Sequence, residues 1–353
     1  MKEKFSSYKE EDVTILLKDI TGLVTPLGTE ERERRIQSGV HYSEMLPIEY
    51  RPSPAYLKTY EDALKRYSDI TARATASVAE KIWQEKGSCT VLISLARAGT
   101  PIGILIKHYL QRKYHAEIPH YTISIIRGVG IDRNAMNHIL SRHPADSLQF
   151  VDGWTGKGAI SHQLNEAMLD YPEVSPGLAV LSDPACIAEK WGTRKDFLIP
   201  SSCLNSTVSG LLSRTFLRSD IIGPEDFHGA VFYRELEKED LTYEFINTIE
   251  SHFPFFEDIP MEEDEAKQKG IEEVKEICRA FGIRDINLVK PSIGEATRVL
   301  LRRVPWKLLV HSLHDEEHLG HLYQLAEEKG VELLEYPLRN YKACGLIRAM
   351  ADT

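Results

Sequence analysis

Cysteine is scarce: five in 353 residues, at positions 89, 186, 203, 278 and 344, an odd number with wide gaps and no C-x-x-C pair. That spacing disfavours both a disulfide scaffold and a zinc knuckle. Small buried hydrophobes in a reducing compartment remain. Glycine and proline are modest at 22 and 17, so collagen-like and low-complexity classes fall away. No apolar run approaches the roughly 20 residues of a membrane helix. The opening MKEKFSSYKEED has no apolar stretch after its lysines, which predicts a cytoplasmic protein with no secretory signal and no membrane partner. Positive charge is in deficit, 43 Lys and Arg against 53 Asp and Glu, so bulk attraction to nucleic acid is disfavoured. What is present is ordinary globular material, 42% hydrophobic, enough for about two domains.

Apolar positions Leu57, Tyr60, Leu64, Tyr67, Ile70, Ala74, Val78 and Ile82 recur every three or four residues. They predict an amphipathic helix over 54–86, with Ser53 as N-cap, Pro54 at its first position and Gly87 after its last turn. Short β-rich runs follow: CTVLISL (89–95), YTISIIR (121–127), LQFVDG (148–153), LAVLSD (178–183) and AVFYRE (230–235). The first four are nearly continuous apolar, as strands buried on both faces should be, and they alternate with helical stretches. An open, mainly parallel sheet covered by helices is the expectation for residues 1–255. The acidic stretch 256–271 loses periodicity and reads as a linker. Residues 272–353 then alternate helix and strand again as a small second unit. From Lys275 onward there are twelve Lys and Arg against eleven Asp and Glu, so the acidity belongs to the larger domain.

Two loops carry the chemistry. In LQFVDGWTGKGAISHQLNEAM a strand ends at Asp152, a glycine-rich turn follows, and a helix starts near Ala159. Glycines at 153, 156 and 158 allow positive φ and turn several N–H groups into one concavity. The helix dipole behind them favours a phosphate, and Asp152 could hold ribose hydroxyls or Mg2+. The spacing fits neither a Walker A loop nor a dinucleotide fingerprint; the plain alternative is a structural turn. In ISLARAGTPIGIL, strand 89–95 runs into Arg97, Ala98 and Gly99, with Thr100 as expected N-cap and Pro101 at the first helical position. Two such loops at the carboxyl edge of one parallel sheet point to a ligand there.

FVDGWTGKGAI resembles the phosphoribosyl-pyrophosphate loop of type I phosphoribosyltransferases, and SLARAGTP resembles their pyrophosphate loop. More closely, the chain resembles the phosphoribosyltransferase-like proteins of bacterial tellurium- and stress-resistance gene clusters, some of which are labelled cysteine proteases. HYSEMLPIEYRPSP, SIIRGVGID and CLNSTVSGLLSRT share in that likeness. The resemblance implies that Asp152 holds ribose hydroxyls, that Thr155, Gly156, Lys157 and Gly158 wrap a 5′-phosphate, and that Arg97, Ala98 and Gly99 face pyrophosphate bridged by Mg2+. Gly153 stands where the common motif has a second acid. Arg127, Asp132 and Arg133 end the third strand and could reach pyrophosphate or nucleophile, or form a surface salt-bridge cluster. The expected function is Mg2+-dependent phosphoribosyl transfer from phosphoribosyl pyrophosphate by positioning and charge stabilisation. A regulator that binds nucleotide or RNA is the alternative, and a cysteine protease the third reading.

Cys203 opens an apparent strand-to-helix transition, where a dipole can lower a thiol pKa, but no motif ties His162, His228 or His252 to it. His314, His318 and His321 share one expected helix face, either as a solvated surface or as a metal site. SIGEATRVLLRR with the later YKACGLI resembles the pelota-type RNA-binding fold. That likeness assigns Gly294, Glu295 and Arg298 to a bent RNA backbone. Ser292 and Glu295 also make a capping box. Structured RNA and a second copy of the chain are the remaining partner expectations.

Overall fold

In the computed structural model the described residues are 4–254, 259 and 269–348. The chain begins with β1 (Thr14–Ile15), β2 (Lys18–Asp19), α1 (Thr29–Gln37) and the long α2 (Pro54–Lys86). The Ser53 hydroxyl accepts from Tyr56 N at 3.4 Å, so the N-cap read from sequence forms. Then come β3 (Val91–Leu95), α3 (Gly99–Tyr114), β4 (His120–Ile123), β5 (Ile125–Ile126), β6 (Gly130–Ile131) and α4 (Arg133–Leu140). β7 (Leu148–Trp154), α5 (Ala159–Ala167), β8 (Leu178–Ser182), β9 (Lys190–Thr193), β10 (Gly229–Ala230) and α6 (Thr242–Ser251) complete this part.

Six strands form a parallel sheet in the order β1-β4-β3-β7-β8-β9. β3 and β8 are buried along their whole length, because helices cover both faces. α2 lies so close to β9 that a Cβ on Gly192 would stand 2.3 Å from the carbonyl oxygen of Ala74. That approach is open only to glycine. The alanine-rich face of α2 (Ala72, Ala76, Ala79) and Val78 and Ile82 are fully buried there. Burying a side chain such as Ile82 contributes roughly 1.5–3 kcal/mol.

The smaller unit runs α7 (Gly270–Ala280), β11 (Val289–Pro291), α8 (Ile293–Arg302), β12 (Pro305–Val310), α9 (Glu316–Lys329), β13 (Glu332–Glu335) and β14 (Ala343–Ile347). Its sheet order is β11-β14-β12-β13, with β12 and β13 parallel and β14 antiparallel to both its neighbours. Among the described residues no helix is long and apolar enough to cross a membrane.

Four expectations change. The linker at 256–271 falls largely outside the described residues, and its last two residues belong to α7. AVFYRE forms a strand only at β10, with one further bridge from Phe232 to Leu212; residues 234–239 turn into a 3-10 helix instead. YTISIIR splits, because β4 ends at Ile123 and β5 and β6 form a separate two-stranded ribbon. Helix α3 starts at Gly99 with Ala98 as its cap, so Thr100 is not the N-cap; its hydroxyl meets that of Thr122 at 2.8 Å.

Candidate functional site

Two clefts lie where the larger sheet meets the smaller unit. The first, about 240 Å³, forms over the loop that follows β7. Of the three glycines in that loop only Gly158, the cap of α5, has positive φ, at 90°. Gly153 continues β7 instead. The cleft brings together Ala98, Arg127, Asp152, Thr155, Gly156, Lys157, Gly158, Glu295 and Arg298 of the expected site residues. Residues assigned to an RNA face thus turn inward onto the loop.

The smaller unit also holds this loop in place. Lys157 Nζ donates to the carbonyls of Ile286 at 2.5 Å and Val289 at 3.0 Å, and the Tyr341 hydroxyl donates to Gly156 O at 2.6 Å. Desolvation and the neighbouring Lys290 ammonium push the Lys157 pKa down to about 8. Burial pushes the Asp152 carboxyl up to about 6, against a hydrogen bond from Gly153 N and the Arg298 charge. Lys290 is lowered mainly by burial. Acids on this wall are Asp152 and Glu295, set against four cations, and no group of three metal-ligating side chains converges among the described residues.

Other expected residues stand apart from this cleft. Arg97 donates to Leu212 O at 3.0 Å and Asn205 Oδ1 at 2.9 Å, tying its loop to the segment after β9. Gly99 serves close packing, since a Cβ there would stand 2.5 Å from Val151 O. Asp132 is 1% exposed; its carboxylate caps α4 through Ala135 N at 3.0 Å and accepts His228 N at 2.6 Å. A carboxylate so enclosed and so fully engaged does not face substrate, which corrects its catalytic assignment. Arg133 pairs with exposed Asp170. Gly294 packs near Ser202 and Trp154. Ser292 Oγ accepts Glu295 N at 3.3 Å, so the capping half of that motif is real.

The second cleft, about 490 Å³, was not legible in advance. Its first-domain wall comes from α2 (Arg66, Tyr67, Ile70) and the segments around β9, including Cys186. Its opposite wall comes from the smaller unit, with His311, His318 and residues 338–342. Cys186 has φ 53°, and the Asn340 amide donates to its sulfur at 3.7 Å. His311 Nε2 and His318 Nδ1 each lie 2.7 Å from one oxygen of Asp315. Burial raises the Asp315 carboxyl, but the hydrogen bonds from His318 and His311 outweigh it and hold the pKa well below the usual carboxylate range. Two half-exposed imidazoles are thereby fixed in orientation.

The remaining cysteines offer less. Cys203 and Cys344 are fully buried, and burial pushes the Cys344 thiol far up. Cys278, on α7, is also raised by burial, and Cys89 lies exposed in a turn after α2. The expected histidine trio does not form a unit. His314 precedes α9, and His321 bonds to Thr297 at 3.0 Å.

Asp183 joins the two clefts. Fully buried, it accepts from the Thr155 hydroxyl, Ile187 N, Ala188 N and the Arg194 guanidinium. Arg194 in turn lies over Trp191, its guanidinium carbon 3.5 Å from the ring centre.

Comparison with known proteins gives a family for each part of the chain. Residues 6–250 match the family described as "Tellurite-like stress resistance cysteine protease StiP", and residues 268–349 match the PELOTA RNA binding domain. The chain is 34% identical over 374 residues to "Cysteine protease StiP" of Acinetobacter baylyi, covering 99% of this chain and 96% of that protein. Among solved structures it is similar to a Helicobacter pylori xanthine-guanine-hypoxanthine phosphoribosyltransferase, at 17% identity and TM-score 0.23 over 38% of this chain and 75% of that one. A Bacillus anthracis hypoxanthine-guanine phosphoribosyltransferase gives 14% identity and TM-score 0.25 over 35% and 71%. Likenesses so distant say nothing of activity. The family and the relative are both named for proteolysis, which overturns the expectation of phosphoribosyl transfer.

Proposed function

The chain belongs to the tellurite-like stress resistance cysteine protease StiP family, and on that premise we propose that it is a thiol-dependent peptidase with Cys186 as nucleophile. The observation that carries this reading is that Cys186 shares a substrate-sized cleft with His311 and His318, both oriented by Asp315. An imidazole, directly or through one water, takes the thiol proton, and the thiolate attacks the peptide carbonyl to form a C–S bond. The C–N bond breaks as the imidazolium returns the proton to the amine. Water then hydrolyses the thioester and regenerates the thiol. The Asn340 amide supports the sulfur in its left-handed turn. Turnover of quenched fluorescent peptides tests this. Cys186→Ala should lower kcat by at least about 100-fold, while Cys203→Ala should keep kcat at any temperature where it is folded. A Cys186→Ala protein with undiminished turnover sinks the assignment.

A second reading concerns the smaller unit and runs beside the first. RNA as its partner is supported by the PELOTA match and by Arg127, Lys157, Lys290 and Arg298 meeting around Trp154 in the loop cleft. Replacing Lys290 and Arg298 together with Glu should remove about two phosphate contacts from the salt slope of RNA binding. An unchanged slope removes the cleft from that role.

A further inference from the structure

We propose that the Cys186 cleft selects acidic peptide segments, with Arg66 and Lys195 as the residues that set this preference. The inference rests on the peptidase reading for its consequence, but its binding claim stands separately. Five cations line the cleft: Arg66, Arg194, Lys195, Arg339 and Lys342. The acids on the same wall are Asp196 and Glu317.

The cations differ in how far they are already neutralised. Arg194 is answered from behind by Asp183, and Arg339 by Glu276 at 2.6 Å. Lys342 shares Asp315 at 3.4 Å with the two imidazoles. Arg66 is different: its guanidinium donates to the main-chain carbonyls of Glu316 and Glu317, which position it without cancelling its charge. Lys195 carries no ion pair among the described residues. Two positive charges therefore remain for a ligand to meet.

The acids do not make up the difference. Asp196 is buried and its oxygens are occupied by Ile293 N, at 3.1 Å from each, and Lys342 N at 2.9 Å. Burial also pushes its pKa up to about 7, which lowers its negative charge near neutral pH. Glu317 is exposed on the rim, as Arg66 and Lys195 are, and screened to the same degree, so it offsets no more than one of these two charges. Between the cations lie Tyr67, Ile70, Phe197 and Leu338. An apolar floor with charges spaced along its edges suits an extended peptide carrying Asp or Glu, because the floor takes the aliphatic stems and the edges take the carboxylates.

The test uses the full-length Cys186→Ala protein, so that binding is read without turnover. Two decapeptides with a neutral dye are compared by fluorescence anisotropy, one alternating Glu and Ala, the other Lys and Ala. The acidic peptide should bind at least 10-fold more tightly and weaken as salt rises. Arg66→Glu and Lys195→Glu, made singly because Arg66 also holds the start of α9, should each weaken it several-fold, with the urea midpoint unchanged for Lys195→Glu and both proteins assayed where they are folded. Equal binding of the two peptides, or indifference to both charge reversals, overturns the proposal. So does a single-stranded RNA of equal charge that binds the cleft more tightly than the acidic peptide. If the acidic peptide binds as expected but the Cys186 protein cleaves neither peptide, the peptidase reading fails and this one stands. If the Cys186 protein cleaves both peptides with equal kcat/KM, the selectivity fails and the peptidase reading stands.

Discussion

The two clefts are built in opposite ways around their carboxylates. In the loop cleft, one continuous stretch, residues 152–161, supplies more than half of the wall, and Asp152 is pushed up to about 6 by its enclosure. In the Cys186 cleft the wall comes from α2, the β9 region and the far end of the chain, and Asp315 is held low by two imidazoles. At the loop cleft Lys157 has spent its donors on the protein itself, and with the Tyr341 hydroxyl on Gly156 O it ties the two units together. The Cys186 cleft keeps half-exposed imidazoles and unneutralised cations pointing into open space. A contiguous motif is therefore a guide to local backbone shape, whereas chemical readiness depends on what the rest of the fold leaves unsatisfied.

The largest effect that can break this contrast is on turnover. Asp315→Asn removes the charge that orients both imidazoles, and peptide hydrolysis should fall by about 100-fold in kcat with little change in KM. An equal loss from Asp152→Asn would mean that the loop cleft, not the Cys186 cleft, carries the chemistry.

Next in size is the link between them. Asp183→Ala leaves Arg194, whose side chain is 9% exposed, without its buried counter-charge, and frees the Thr155 hydroxyl in the other cleft. Breaking a buried pair from one side costs about 3–5 kcal/mol, read as a shift of the urea midpoint. A loss below about 1 kcal/mol would show that the clefts are held independently.

How much of this was legible in the sequence follows from how local each feature is. Helix α2 was readable to its ends because Ser53, Pro54 and Gly87 are local signals and its apolar period is unbroken. The parallel strands were readable because burial on both faces leaves near-continuous apolar runs. β14 was not: YKACGLI looks like a tail, and only its pairing with β11 and β12 makes it a central strand. Asp132 was misread because an acid at a strand end looks the same whether it faces a ligand or caps the next helix. Cys186 gave no local signal at all, since the two imidazoles that line its cleft belong to the smaller unit, one just after β12 and one on α9. The spacing of His311, Asp315 and His318 was the one available clue, and the neighbouring His314 and His321 masked it by offering a competing helical spacing.

A third and smaller difference is in pH dependence. Asp152 binds its proton more tightly folded than unfolded, so stability falls as pH rises from its ordinary 3.8 to about 6. With partial exposure allowed for, the change is on the order of 2 kcal/mol, and Asp152→Asn should flatten it. Asp315 acts in the opposite sense: its contribution is present above 3.8 and is lost as pH falls below that value. Parallel slopes for the two carboxylates in urea midpoints would erase the contrast.

The finest test is one hydroxyl. Tyr341 is 2% exposed, lines the Cys186 cleft and donates to Gly156 O of the loop cleft, so it touches both sites at once. Tyr341→Phe keeps the ring in its pocket among Ala185 and Gly270 and removes only the donor. The cost should be about 1 kcal/mol, the net value of one such bond plus part of the desolvation of the carbonyl left behind. Because the ring stays, the Cys186 wall keeps its shape and acidic-peptide affinity should change by less than about twofold. The loop is affected more directly, since Gly156 O loses its tie to the smaller unit, and amides 156–160 should exchange with solvent faster. Faster exchange there with peptide affinity held would show that the loop depends on the smaller unit while the Cys186 cleft does not depend on the loop. If affinity falls along with protection, the two clefts behave as one site, and the division drawn between them is wrong.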